Sequence, residues 1–252
     1  MGDFDGKQVL VMGGSRGIGA AIVRRFAKDG ATVHFTYSGS KAAAEAIAAE
    51  TGAKATQVDS ADRKAVTAYV ASCGALDILV INAGVVEFGD PTTLAFESVE
   101  RLFAINIHAP YFAAAEAAKK MRDNGRILII GSVNGDTMPF PGLTAYAVSK
   151  SAVQGLARGL SRDLGPRGIT VNVVQPGPVN TDMNPANGPM KDMMHAGLSI
   201  KRHGHVGEVA AMVAFLAGPD AGFHLYYPSR RQLPAVLKAF VEYLQRFAST
   251  ST

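Results

Sequence analysis

KQVLVMGGSRGIGAAIVRRFAKDG, residues 7–30, passes from a β-rich run through a cluster of glycines into a helical repeat of apolar residues. A strand, a tight turn and an amphipathic helix in that order begin a βαβ unit. In the turn GGSRGIG, the spacing of Gly13, Gly17 and Gly19 is G-x3-G-x-G, not the commoner G-x-G-x-x-G. Glycine lets the backbone turn sharply and approach a pyrophosphate, and the following helix offers unpaired N–H groups and a positive dipole end. The stretch predicts a dinucleotide site over Gly13, Ser15, Arg16, Gly17, Ile18 and Gly19.

The same alternation continues outward. ATVHFTY (31–37), AKATQVD (53–59), LDILVINAG (76–84), GRILIIGS (125–132) and GITVNVVQPG (168–177) read as strands. Between them lie helical patterns: SKAAAEAIAAETG ending at Gly52, ADRKAVTAYVASC, a long pattern over 96–123, and 144–164. Short apolar runs alternating with amphipathic helices predict an α/β, Rossmann-like, doubly wound parallel sheet, with ligands at the carboxyl ends of its strands. Residues 1–220 are expected to form this one domain and 221–252 an atypical C-terminal tail.

Composition sets the broad class. Of 252 residues, 48% are hydrophobic and 18% charged, as in a folded globular chain. No apolar run is long enough to span a bilayer, and MGDFDGK lacks the apolar region of a signal peptide. Cys73 is the sole cysteine, which excludes an internal disulfide and fits a cytoplasmic protein. The pI of about 9.2 would suit a nucleic-acid binder. However, Arg230, Arg231, Lys238 and Arg246 stand against Glu242 alone after residue 220, so most of the net charge of +4 belongs to the tail. Neither nucleic acid nor a membrane is an expected partner.

Chemistry concentrates in AYAVSK. Tyr146 and Lys150 lie four apart on a helical pattern and so share one face. A phenol with an ordinary pKa near ~10 exchanges protons poorly at neutral pH, and a neighbouring ammonium and a nicotinamide cation would lower it. Ser132, at the end of a buried-type strand, supplies a hydroxyl for a carbonyl oxygen, and Asn106 lies in the apolar pattern LFAINIHAP. The second strand ends in Thr36-Tyr37-Ser38 with no carboxylate for ribose hydroxyls. Arg16 and Ser38 are instead suited to a 2′-phosphate, which favours NADP(H) over NAD(H).

Together GGSRGIG, VDSAD, INAG, INIHAP, IIGS, YAVSK and QPGPVNT resemble the short-chain dehydrogenase/reductase family in its own order, over about residues 5–220. The resemblance implies a carbonyl or alcohol substrate and a homodimer or homotetramer. It implies that Tyr146 is the general acid/base, that Lys150 lowers its pKa and binds the nicotinamide ribose, and that Ser132 polarises the carbonyl. Asn106 would hold a water in a proton relay. Asp59 would contact the adenine, Asn82, Ala83 and Gly84 would line the cofactor, and Pro176, Gly177 and Thr181 would seat its carboxamide. Met12 departs from the family's threonine before the first glycine, which puts the rigidity of the turn in question. GRILIIGSVNGD, RGITVNVVQPGPVNTD and NPANGPM are similar to a bacterial member that binds cyclic di-GMP, and this implies that nucleotide as a further ligand.

Residues 183–205, rich in Met and Gly, read as a mobile lid over the substrate. His203 and His205 fall within it, but no Cys, Asp or Glu completes a metal-ligand set, so no metal is expected. After residue 221 the family's closing strand is missing, and 222–247 resembles the C-terminal end of LysR-type transcription regulators. FHLYYP (223–228) is expected to add a strand at the vacated sheet edge. Leu233, Val236, Phe240 and Leu244 are expected to form one apolar helical stripe packed on the body or on a second copy.

Overall fold

In the computed structural model, which describes residues 2–219, Val9 and Val11 belong to one apolar core and Leu10 and Met12 to another, all four buried. They alternate along β1 (Gln8–Met12), so this strand is covered on both faces. β4 (Ile78–Ile81) and β5 (Arg126–Ile130) divide in the same way: Ile78, Val80, Leu128 and Ile130 face the first core, and Leu79, Ile81, Ile127 and Ile129 the second. β2 (Thr32–Tyr37), β3 (Lys54–Gln57) and β6 (Thr170–Val174) complete a six-stranded sheet in the order β3-β2-β1-β4-β5-β6, every pair parallel. This is the doubly wound, Rossmann-like sheet that the sequence predicts.

α1 (Gly17–Lys28), α2 (Lys41–Thr51) and α8 (Val206–Ala217) supply Ile22, Phe26, Ile47 and Val213 to the first core. α3 (Arg63–Ser72), α5 (Ala109–Ala118) and α6 (Thr144–Leu164) supply Val66, Val70, Ala113, Val153 and Ala157 to the second. Full burial of a side chain such as Phe26 or Leu79 is worth about 1.5–3 kcal/mol before entropy is subtracted. The order of the strands reverses between β1 and β4. The crevice at their carboxyl ends is therefore where a ligand of such a sheet binds.

Two sequence expectations change. The helix expected over 96–123 is α4 (Phe96–Phe103), a π-helical turn at Ala104–His108, and α5, which ends at Ala118. Pro110 has no N–H to return to the carbonyl of Asn106, and the Ala109 N–H bonds instead to the carbonyl of Ala104, five residues back. The strand expected to end at Ser132 stops at Ile130. Gly131 passes so close to β6 that a side chain there would meet Val173, and Ser132 instead begins a 3₁₀ turn over Val133–Gly135. The segment 183–205, expected as a lid, contains α7 (Lys191–Ala196). No described helix is long and apolar enough to cross a membrane. The strand and helical stripe expected after residue 221 lie outside the described residues.

Candidate active site

The glycine turn is held from three sides. The Gly13 N–H donates to Thr36 Oγ1 at 3.1 Å, the Gly14 N–H donates to the Thr36 carbonyl at 2.9 Å, and Asn82 Nδ2 donates to the Gly13 carbonyl at 2.7 Å. Gly13 has a φ of +79°, and a Cβ there would stand 2.8 Å from the Ala83 backbone. A side chain at Gly19 would collide with the Gly13 carbonyl. Arg16 is the N-cap of α1 and makes no side-chain capping bond, so the first-turn N–H groups face the turn without a side-chain partner. These features make a cradle for an anion, with a wall that admits backbone only. The question raised by Met12 is answered: Thr36 and Asn82 brace the turn.

Above it opens a cleft of about 390 Å³. Gly13, Ser15, Arg16, Gly17, Ile18, Thr36, Ser38, Asp59, Asn82, Ala83, Gly84, Ser132, Tyr146, Lys150, Pro176, Gly177 and Thr181 all line it. Two expected site residues do not. Gly19 is buried beneath the turn, where its role is close packing. Asn106 is also buried, behind the wall. Its Oδ1 accepts the Val85 N–H at 2.9 Å, and its Nδ2 donates to the Val85 carbonyl at 2.8 Å and to Ser149 Oγ at 3.0 Å. The Ser149 hydroxyl in turn donates to the Tyr146 carbonyl at 2.6 Å. Asn106 thus ties the segment after β4 to the helix that carries Tyr146 and Lys150.

Tyr146 and Lys150 project from α6 into the cleft, one helical turn apart. Lys150 Nζ donates to the Ile130 carbonyl at 2.9 Å and stands 5.7 Å from the centre of the Tyr146 ring. Burial pushes the Lys150 ammonium down to about 8. Burial pushes the Tyr146 phenol up, and a hydrogen bond with the Ser132 side chain opposes that rise. The lowering expected of the phenol takes the Lys150 ammonium and a bound nicotinamide cation together. In the protein alone, desolvation dominates and Ser132 is the group that favours ionisation.

Four charged side chains at the cleft escaped sequence reasoning or took other partners. Arg101 on α4 lines it and pairs with Asp59 at 3.2 Å, so the carboxylate expected beside an adenine already has a cation. Asp182 lines it and lies 3.8 Å from Arg16. Arg101 precedes Ile105 by four residues, and both reach the cleft; that helical spacing was the available signal. His203 is buried with Nδ1 2.8 Å from Nε2 of His195, and His205 caps α8 together with Glu208. Among the described residues no three His, Cys, Asp or Glu side chains converge on a point that would hold a metal ion.

The chain matches the family model described as enoyl-(acyl carrier protein) reductase over residues 13–224. It is 66% identical over 223 residues to the cyclic-di-GMP-binding biofilm dispersal mediator protein of Escherichia coli K12, covering 88% of this chain and 94% of that one. Among solved structures, BdcA in complex with NADPH superimposes with a TM-score of 0.86 at 66% identity, over 87% of this chain and 90% of that one. A short-chain dehydrogenase from Burkholderia cenocepacia J2315 in complex with NADP gives a TM-score of 0.84 at 44% identity, over 86% and 93%.

Proposed function

We propose, from the premise that this chain belongs to the short-chain dehydrogenase/reductase family, that it is an NADP(H)-dependent oxidoreductase interconverting a carbonyl and an alcohol. The observation that carries the reading is the Tyr146 phenol, which lines a glycine-braced cleft with Ser132 and stands one turn from a buried Lys150. The cleft fits a dinucleotide phosphate: a side-chain-free cradle at Gly13, uncapped N–H groups at α1, Arg16 in the turn, and no ribose-binding carboxylate at the end of β2. Gly13, Ser15, Gly17 and Ile18 would hold the pyrophosphate, Arg16 and Ser38 the 2′-phosphate, and Pro176, Gly177 and Thr181 the carboxamide.

When bound, the nicotinamide supplies the hydride. The chain's own residues govern the oxygen. Ser132 donates a hydrogen bond to the carbonyl oxygen and Tyr146 gives it a proton. The phenolate left behind is stabilised by Lys150, and solvent returns the proton along a path on which Asn106 holds a water. Support for that last role is the burial of Asn106 beside Lys150: a Cβ on Gly84 would stand 3.4 Å from both Asn106 Oδ1 and Lys150 Nζ.

Turnover of NADPH over a panel of small ketones, diketones and aldehydes tests the reading. Tyr146→Phe should abolish it while leaving NADPH binding nearly intact. Comparable turnover in that variant would overturn the proposed chemistry.

A second reading is favoured by the 66% identity with a protein described as binding cyclic di-GMP: the same anion-accepting cleft senses that nucleotide, with catalysis incidental. Titration of cyclic di-GMP against the chain with and without NADPH separates the two, because one shared cleft predicts competition. Phe96, Tyr111 and Val148, exposed on α4 to α6, support pairing of two copies through that side. The family match stops at 224, in keeping with a LysR-like origin for 222–247 that rests on the sequence alone.

A further inference from the structure

Three segments build the reactive end of the cleft: the turn after Ser132, the helix bearing Tyr146 and Lys150, and the loop Pro176-Gly177 after β6. One side chain from each meets the others outside the cleft. Gln154 Nε2 donates to Asp136 Oδ1 at 3.0 Å and to Gln175 Oε1 at 2.8 Å, and Gln175 Nε2 donates to Asp136 Oδ2 at 2.8 Å. The ring is closed, and its sense is forced. A carboxylate only accepts, so both amide nitrogens must face Asp136, and the remaining Gln154 N–H must face the Gln175 oxygen. Its two bonds to the carboxylate are charge-assisted.

Its members sit where small shifts are felt. Gln154 follows Lys150 by one helical turn and Tyr146 by two. Asp136 ends the 3₁₀ turn that Ser132 begins, and Gln175 immediately precedes Pro176. The backbone there is packed to contact: a Cβ on Gly135 would stand 2.7 Å from Gln154 Nε2 and 2.9 Å from the Lys150 carbonyl. The Ser151 hydroxyl donates to the Gly135 carbonyl at 2.6 Å, and the Val133 N–H to the Pro176 carbonyl at 3.1 Å.

We infer that Gln154 is a positioning residue: through Asp136 and Gln175 it sets the Ser132 hydroxyl against the Tyr146 phenol and holds both beside Pro176-Gly177. None of the three ring side chains touches the reacting atoms in this scheme. The kinetic part of the inference rests on the carbonyl-reductase reading; the geometric part does not.

The test uses the full chain, first without cofactor. Ionisation of Tyr146 is followed by absorbance near ~295 nm, as the difference between each protein and its Tyr146→Phe counterpart. Gln154→Leu should move that ionisation to higher pH, because the Ser132 hydroxyl no longer favours the phenolate. Gln175→Leu breaks the same ring from another segment and should do likewise, which guards against a variant that simply misfolds. Gln154→Glu sets two carboxylates face to face and should shift the ionisation at least as far. Adding Asp136→Asn to Gln154→Glu restores a donor between residues 136 and 154 but leaves the Gln175 oxygen against the new carboxylate, and should recover only part of the parent behaviour.

With NADPH and 2,3-butanedione as the probe, Gln154→Leu should lower kcat roughly tenfold and leave the NADPH dissociation constant within about twofold. An unmoved Tyr146 ionisation in both leucine variants would overturn the inference, whatever happens to melting temperature or cofactor affinity. A parent protein that fails to reduce any carbonyl would sink the reductase reading, and the phenol titration would still decide the ring.

Discussion

Thr36 Oγ1 accepts the Gly13 N–H at 3.1 Å, so the second strand holds in place the glycine turn that the first strand delivers. Thr36 is buried, and its hydroxyl is engaged by the turn, although the residue also lines the cleft. Thr36→Val removes the acceptor and leaves the part-buried Gly13 N–H unpaired, a loss of about 1 kcal/mol. Chemical denaturation should show that loss together with weaker NADPH binding, whereas Thr36→Ser should stay close to the parent. A valine variant as stable as the serine one would count against the brace.

Arg16 is exposed and pairs only loosely with Asp182, at 3.8 Å. If its guanidinium reads a 2′-phosphate, Arg16→Ala should weaken NADPH by about 1.5–3 kcal/mol and NADH far less. Asp182→Asn removes the competing carboxylate and should tighten NADPH modestly. Fluorescence titration with both cofactors measures all of these, and equal losses for the two would show that Arg16 does not discriminate.

Lys150 makes stability depend on pH. Burial holds its ammonium down to about 8, against an ordinary 10.5, so between those values the unfolded chain binds more protons and stability rises with pH. Below about 8 the folded protein bears the full cost of a buried cation. Lys150→Met should therefore stabilise the cofactor-free protein at pH 7 by at most about 3 kcal/mol. The gain should fade as pH climbs from 8 towards 10.5, even as NADPH binding suffers. Urea unfolding at pH 7 and 10 checks this; an equal change at both would mean that packing, not charge, decides.

Acid should loosen the segment around α7. Burial, together with the charges of His195 and Lys191, keeps the His203 imidazole below its ordinary 6.5. Its Nδ1 meets His195 at 2.8 Å and its Nε2 faces Asn184 Oδ1 at 3.4 Å. The unfolded state takes up a proton first as pH falls through 6.5, so the stability of this segment drops from there towards the lower folded value. Hydrogen exchange corrected for intrinsic rates should show α7 amides less protected at pH 5.5 than at pH 7.5. His203→Leu should flatten that difference.

How far the sequence could be read depended on the range of each interaction. α6 spans Thr144–Leu164 as expected, because its apolar repeat runs unbroken to Gly165-Pro166. Tyr146 and Lys150 were legible because four residues on a helix fix a shared face. β5 came out shorter than the 125–132 expected of it: the Ile127–Ile130 run is buried as a strand, the Gly131 N–H still bonds to the Val174 carbonyl, and the chain then turns at Ser132 into the 3₁₀ segment. Long-range partners were not legible at all. Nothing local links Thr36 to Gly13, Arg101 to Asp59, or Gln154 to residues 136 and 175. Equally illegible was the burial that raises the Tyr146 phenol in the protein alone, since the depth at which a phenol lies is a property of the whole cleft.

The π turn at Ala104–His108 inserts one residue into what would otherwise be a continuous rod, and one residue rotates everything beyond it by about 100°. Upstream, α4 turns Arg101 towards the cleft; downstream, α5 sets Ala109, Ala113 and Ala117 against the sheet. In an unbroken helix both faces would share a single phase, and any change suited to a new ligand would have to respect the packing three turns away. The inserted residue uncouples them. Arg101 and the alanine face that seats the rod on the sheet are thereby set by separate phases of one helix.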